Sequence, residues 1–302
     1  MKFNRIVCVD HAKLNDKTIK QLDQYSDTKV EVYSDYPETD EEIIRRIEDA
    51  EAVIVSWRTQ LHKEIIDACP KLKYIGMACS LFDDESANVA VKHAREKGIT
   101  VKGIFDYGDP GVAEFIISEL IQFLNGYKGP QWKETPLELT DLKIGITGLG
   151  VTGKLLADCL LPFGADLYYH SRTRKKDFEA KGVKFLKFED LLQKCEVLSF
   201  HLPKNTCVME EDHFKAFNQP KILINTSLGL PFEPEAFVEW VQIEGNYAIF
   251  DADGKSDLKD EVLNLPQVLA SKKSAGWSAQ THVRLSQKVL QNLSEFCKEN
   301  QQ

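Results

Sequence analysis

The sequence predicts an α/β protein built on two doubly wound parallel sheets. Three observations carry that expectation. Short β-branched runs alternate with helical periodicity through the first hundred residues. A second series of the same kind starts near residue 143. A glycine-rich turn closes the first strand of that second series. At 302 residues the chain is long enough for two domains, each with its own core.

In the first series, strands are expected at 5–9, 29–33, 52–56, 73–77 and 99–102. Between the second and third, Glu41, Glu42, Arg45 and Arg46 form a polar face while Ile43, Ile44 and Ile47 turn inward, the pattern of an amphipathic helix. The segment 111–125, GVAEFIISELIQFLN, reads as a long buried helix, and 126–140, rich in Gly, Pro and polar residues, as a connection. The loop FDYGDP before the helix is read as turn chemistry alone. In the second series an apolar strand at 143–148 leads into a helix at 151–163 that Gly164 stops. Further strands are expected at 166–170, 183–186, 197–202, 222–226 and 247–251, six in all, with helices at 189–194, 210–217 and 233–242. The segment 278–300 is one amphipathic helix, with Val283, Leu285, Val289, Leu290, Leu293 and Phe296 on its apolar face, expected to return to the first domain.

Composition excludes several classes of function. Lys and Arg number 38 against 47 Asp and Glu, a net charge of −9. No broad cationic face is available for nucleic acid or an anionic membrane. The longest apolar runs fall short of the about 18 residues a membrane span needs, and the N-terminal one is too short for a signal peptide. The seven cysteines are odd in number, widely spaced and never arranged as C-x-x-C. That argues against a disulfide framework or a thiolate metal site, so no metal is expected and a reducing, cytoplasmic setting is.

The most informative motif is Gly148-Leu149-Gly150-Val151-Thr152-Gly153. It follows the strand KIGIT and opens a helix, the context in which G-x-G-x-x-G binds a dinucleotide. Gly148 permits the tight turn, Gly150 lets backbone approach the pyrophosphate and Gly153 lets helix and strand pack closely, while the helix N-terminus offers N–H groups to the anion. About twenty residues further on, a carboxylate would meet the ribose hydroxyls of NAD. Here the strand LYYH runs instead into Ser171-Arg172-Thr173-Arg174-Lys175-Lys176. Arg172 can stack on adenine, and Ser171 and Thr173 can hydrogen-bond a 2′-phosphate, so NADP is expected as cofactor, with NAD the second choice.

Several further segments fall in the same order and context: CPKLKYIG at 69–76, AREKGITV at 94–101, VAEFIISELI at 112–121, LTDLKIGITGLGVTG at 139–153, YYHSRTRK at 168–175, FHLPKNT at 200–206 and ILINTSLG at 222–229. On these the chain resembles, over nearly its whole length, the D-isomer-specific 2-hydroxyacid dehydrogenases, which include glyoxylate and hydroxypyruvate reductases and phosphoglycerate dehydrogenases. The resemblance implies two Rossmann-like domains. One is a flavodoxin-like substrate domain at 1–112 and 278–302; the other is a dinucleotide domain at 113–277. It implies a homodimer through the dinucleotide domains. It also assigns Leu202, Pro203, Thr206, Thr226, Ser227 and Asp251 to the cofactor side.

Members of that family reduce 2-oxo acids with an Arg after the I-N-T-x segment, a His in a T-P-H segment and a Glu that holds the His. In this sequence the Arg position is Leu228, the His position is Lys273, and the Glu position falls at Ser256 or Asp257. Two functions follow. One is a divergent NADP-dependent oxidoreductase acting on a small anionic or carbonyl substrate. Lys273, oriented by Asp251 or Asp253 and flanked by Lys272, would then donate the proton, and Arg58 would clamp the anion. The backbone at Ala78, Cys79 and Ser80, with Trp57, Phe82 and Trp277, would line the substrate side. The alternative is a non-catalytic NADP(H)-binding sensor or interaction protein that has lost the chemistry. Cys79 reads as a small buried residue rather than a nucleophile, and His11 as a loop histidine.

Overall fold

The computed structural model describes residues 1–300 except Ser86, Asn205 and Gln219. Asn205 of the FHLPKNT segment and Gln301 and Gln302 of the expected first domain therefore lie outside the described residues. The chain divides into two compact units, Met1–Tyr107 with Ala279–Gln302, and Gly108–Ser278, where the sequence placed the divisions at 112 and 278.

The first unit alternates β1 (Ile6–Cys8), α1 (Asp16–Leu22), β2 (Glu31–Val32), α2 (Asp40–Ile47), β3 (Ala52–Val55), α3 (Lys63–Ala68), β4 (Tyr74–Met77), α4 (Val91–Glu96) and β5 (Thr100–Lys102). All pairings are parallel, in the order β2-β1-β3-β4-β5. The chain therefore changes direction across the sheet between β1 and β3, a switch point at which the loops leaving the two strands part. Strand β2 keeps only two of the five residues expected, because it is an edge strand with both side chains exposed and one neighbour to pair with.

Helix α2 begins at Thr39, whose hydroxyl accepts the Glu42 N–H at 3.2 Å, and carries acids in its first turn and Arg45 and Arg46 in its last. Arg46 does not lie on the polar face the periodicity assigned it. It is buried, stacked 4.3 Å from the Tyr33 ring centroid, and donates to Val9 O, Asp35 and Glu42. A guanidinium tolerates burial when its N–H fork is satisfied in this way.

The last helix of the chain belongs to this first unit. Phe296 stacks on Phe3 with ring centroids 5.7 Å apart, and Asn292 donates to Gly103 O.

The second unit holds α5 (Asp109–Asn125), β6 (Lys143–Thr147), α6 (Val151–Leu160), β7 (Asp166–His170), α7 (Lys176–Glu179), β8 (Lys184–Phe185), α8 (Phe188–Lys194), β9 (Val197–Phe200), α9 (Glu211–Ala216), β10 (Ile222–Asn225), α10 (Pro234–Val241), β11 (Tyr247–Phe250), α11 (Asp260–Leu263) and β12 (Val268–Ala270). The closing helix of the chain, α12, is Ala279–Glu299. The sheet is parallel throughout, ordered β12-β11-β10-β9-β6-β7-β8, with its switch point between β6 and β9. It has seven strands where six were expected. The additional β12 is three residues long and pairs with β11 alone, too short to show an alternation.

Helix α5 starts at Asp109 rather than at 111, so Asp109 and Pro110 are helical and not part of a turn. Proline fits a first helical turn because its missing N–H would have no partner there. Ala113, Ile116, Leu120, Phe123 and Leu124 of this helix join Ile144, Ile146 and Ile222 of the strands in one core. Each large side chain buried there contributes about 1.5–3 kcal/mol.

Candidate functional site

In the second unit, the sheet order brings the predicted residues to one edge. Gly148, at the carboxyl end of β6, adopts φ +94°, and a Cβ there would lie 2.1 Å from His201 O. A Cβ on Gly153 would lie 2.2 Å from Gly148 O, so helix α6 sits directly on the turn. Gly150 caps α6 in an extended conformation, and the space a Cβ would fill is open. A glycine required by neither φ nor packing, at a helix N-terminus with room in front of it, fits the backbone approach of a pyrophosphate. The Leu149 side chain is buried in the core, so only its backbone faces the turn. Val151 is half exposed, and the Thr152 hydroxyl donates to the Asp109 carboxylate.

The loop leaving β7 is a turn in which Ser171 Oγ donates to Thr173 O at 2.6 Å and Lys175 Nζ donates to Thr173 Oγ1 at 3.0 Å. Arg174 is neutralised by Glu179 and lies over Phe185. Arg172 is exposed and has no ion pair among the described residues. On the other side of the switch point, Leu202 N–H donates to Ser227 Oγ, and that hydroxyl donates to Phe200 O, tying the ends of β9 and β10 together. Pro203 is exposed, and Thr206 and Thr226 are half-buried. His201, which sequence reasoning passed over inside FHLPKNT, places Nε2 3.0 Å from Ser199 Oγ, and burial lowers it from the ordinary histidine value to about 4.

The segments assigned to catalysis meet at the ends of β10, β11 and β12. Leu228 is half exposed. Asp251 is buried and accepts the N–H groups of Gly254 at 2.7 Å and Ala275 at 2.8 Å; burial raises its carboxyl, and the two N–H groups oppose that. Asp253 accepts the Ser274 hydroxyl. Lys273 is held by its backbone, donating to Ser271 Oγ and accepting from Ala252 N–H, with its side chain exposed and no ion pair to Asp251 or Asp253 among the described residues. Ser256 and Asp257 are exposed, and Trp277 is half-buried.

In the first unit, the loops leaving β3 and β4 carry the residues expected on the substrate side. Asp10 is fully buried at the end of β1 and accepts Ser56 N–H at 2.9 Å and the hydroxyls of Ser56 and Thr59. Asn88 donates to Ser56 O and Thr59 O. These contacts fix the turn that presents Trp57, 55% exposed, and Arg58, whose guanidinium lies 4.9 Å from the Tyr36 centroid and 5.3 Å from that of Trp57. Ala78 and Cys79 are buried and Ser80 half-buried. The Ala78 N–H is spent on Val55 O and the Cys79 carbonyl accepts Ile104 N–H, so of this backbone the N–H groups of Cys79 and Ser80 are the ones with no backbone partner among the described residues. Burial, with Asp10 nearby, pushes the Cys79 thiol up to about 12. Sequence reasoning missed Asp10 and Asn88; a lone acid ending an apolar strand was the available signal.

Residues 117–272 match the family model described as D-isomer specific 2-hydroxyacid dehydrogenase, NAD binding domain. A glyoxylate reductase of Korarchaeum cryptofilum is 24% identical over 86% of this chain and 83% of its own length. Among solved structures, an acyclic imino acid reductase in complex with NADPH and D-arginine matches with a TM-score of 0.79 and 22% identity, over 98% of this chain and 97% of the other. The apo-structure of D-lactate dehydrogenase from Escherichia coli matches with a TM-score of 0.79 and 20% identity over 97% of each chain. Both likenesses concern the fold.

Proposed function

Since the chain belongs to the D-isomer-specific 2-hydroxyacid dehydrogenase family, we propose that it is an NADP-preferring oxidoreductase that reduces a 2-oxo acid to the 2-hydroxy acid at an atypical centre. The observation that carries this reading is the glycine turn at the β6–β9 switch point followed by an exposed Arg172, without an ion pair among the described residues, where a ribose carboxylate would stand. Gly148, Gly150 and Thr152 would hold the pyrophosphate and Ser171, Arg172 and Thr173 the 2′-phosphate, with Leu202, Pro203, Thr206, Thr226, Ser227 and Asp251 along the rest of the dinucleotide. Reduced nicotinamide supplies the hydride when bound.

The remaining work falls to side chains of this chain. Reduction builds negative charge on the carbonyl oxygen, and a proton must reach it. Leu228 offers no donor. Lys273 Nζ gives the proton, and Arg58 pairs with the carboxylate of the substrate. The relatives named glyoxylate reductase support a 2-oxo acid as substrate. We further propose a homodimer through the second unit, where Pro110, Ala113, Ile117 and Leu155 line an apolar groove of about 330 Å³. Among the described residues no helix is long and apolar enough to cross a membrane and no group of His, Cys, Asp or Glu is arranged to hold a metal. Seven free cysteines suit the reducing cytoplasm.

The test is calorimetric titration with NADPH and NADH, followed by NADPH oxidation over a panel of 2-oxo acids with the native protein and Lys273→Ala. Tight NADPH binding and turnover lost in the variant support the reading. Turnover unchanged in Lys273→Ala removes Lys273 from the mechanism. NADPH binding without any turnover favours the sensor, and failure to bind either nucleotide overturns the assignment.

A further inference from the structure

The exposed aromatic side chains of the first unit are not scattered. Trp57 follows β3, Phe82 follows β4 and Phe105 follows β5, with exposures of 55%, 67% and 39%. They sit at the carboxyl ends of three adjacent parallel strands. Phe82 and Phe105 meet edge-on with ring centroids 5.5 Å apart. On the β1–β3 switch point, Arg58 lies between Trp57 and Tyr36, the latter in the loop leaving β2. Large apolar surface left open on a soluble domain marks a binding site, and in open parallel sheets that site lies outside the carboxyl ends at the switch point.

Charge narrows the ligand. Three acids around this edge are paired, Asp35 with Arg46, Asp84 with Arg95 and Glu85 with Lys92, while Asp106, beside Phe105, is exposed with no ion pair among the described residues. Arg58 has no carboxylate partner among the described residues, and its guanidinium is oriented by two rings with its N–H fork left to bind a planar anion. The Asp10 hydrogen bonds make its loop rigid rather than adaptable. A small oxo acid such as glyoxylate would use Arg58 and leave the rings wet. Strands β3, β4 and β5 are neighbours about 4.8 Å apart, so the loops that carry Arg58, Phe82 and Phe105 leave one edge side by side, and a carboxylate with an aromatic ring a few bonds away suits such an edge.

We propose that the substrate class is a 2-oxo acid with an aromatic side chain, its carboxylate on Arg58 and its ring against Trp57, Phe82 and Phe105. The proposal rests on the oxidoreductase reading above for its oxo group, and on the first unit alone for its ring and its charge.

The experiment separates the two. Binding of 3-phenylpropanoate, which has no oxo group to reduce, is compared with propanoate by calorimetry. NADPH oxidation is then measured with phenylpyruvate, pyruvate and glyoxylate. We expect 3-phenylpropanoate to bind at least about tenfold tighter than propanoate, and kcat/KM for phenylpyruvate to exceed that for pyruvate by about thirtyfold or more. Phe82→Ala, at an exposed position that leaves no cavity, should cost phenylpyruvate about tenfold more than it costs pyruvate. Arg58→Ala should weaken both acids. Selective binding of 3-phenylpropanoate without turnover of any oxo acid supports the aromatic anion site and overturns the oxidoreductase reading. Turnover of glyoxylate or pyruvate at or above the rate for phenylpyruvate, or equal binding of the two propanoates, overturns the substrate class and leaves the activity standing.

Discussion

The carboxylate of Asp10, in the turn that leaves β1, accepts the hydroxyl of Thr59 at 2.5 Å across the switch point of the first sheet. With Ser56 N–H and Oγ on the same carboxylate, one buried acid fastens the loop that carries Trp57 and Arg58. Asp10→Ala leaves three buried donors without their acceptor. We predict a loss of about 3 kcal/mol in urea unfolding. Asp10→Asn, which keeps one acceptor oxygen, should lose less. An Asp10→Ala protein as stable as the native one would show that the loop is held by Asn88 alone.

Gly153 tests the dinucleotide turn. A methyl group at this position would stand 2.2 Å from Gly148 O, a backbone atom that cannot step aside without moving the turn. Gly153→Ala should weaken NADPH and NADH together, by about a hundredfold, while Gly150→Ala, with open space around it, should fold normally and obstruct the ligand directly. Unchanged affinity for either nucleotide in Gly153→Ala would mean the pyrophosphate lies elsewhere.

Arg172 tests the choice between nucleotides. A charge-assisted hydrogen bond to a phosphate contributes roughly 1.5–3 kcal/mol, so Arg172→Ala should cost NADPH about tenfold or more in Kd and leave NADH nearly unaffected. The difference should shrink at high salt, because the loop is exposed. Equal losses for the two nucleotides would assign Arg172 to adenine stacking only.

What the sequence made legible is local. The strand KIGIT, the glycine turn and α6 are consecutive, so this strand–turn–helix unit could be located without knowing its neighbours. The same holds for α5, apart from its first two residues. What stayed hidden depends on partners far along the chain. Lys221 is an example: it is buried, and its ammonium donates to Leu192 O at 3.1 Å in the last turn of α8 and to Cys195 O at 2.5 Å just beyond it. Nothing near residue 221 announces that role. Asp10 with Thr59, and Arg46 with Val9 and Asp35, are hidden for the same reason. Strand β12, Val-Leu-Ala, was concealed because it has a single β-branched residue, whereas the equally short β1 and β5 lie in the β-branched runs RIVCV and ITVK.

Cys79 lies in the loop after β4 but is not poised as a nucleophile. Burial is the main cause that pushes its thiol up to about 12, and Asp10 adds to it. At pH 8 essentially none of it is thiolate, the reactive form. Cys207, by contrast, is exposed. Brief iodoacetamide treatment followed by peptide mass spectrometry should label Cys207 and spare Cys79. Alkylation of Cys79 at a comparable rate would show that its loop opens far more readily than its hydrogen bonds imply.

His201 makes the second unit sensitive to acid. In the native chain burial holds its imidazole at about 4, against 6.5 when unfolded. The unfolded chain therefore binds a proton that the native chain refuses throughout that window. Stability from this group is fully present above pH 6.5 and is lost as the pH falls through 6.5 towards 4. The full effect is about 3 kcal/mol, from roughly 1.36 kcal/mol for each unit of difference. His201→Gln keeps a polar group within reach of Ser199 but cannot titrate. Urea unfolding of both proteins at pH 7, 6, 5 and 4.5 should show the native protein losing stability faster, by the slope of up to one proton. Parallel pH profiles would mean that His201 is protonated as freely in the native state as in the unfolded chain.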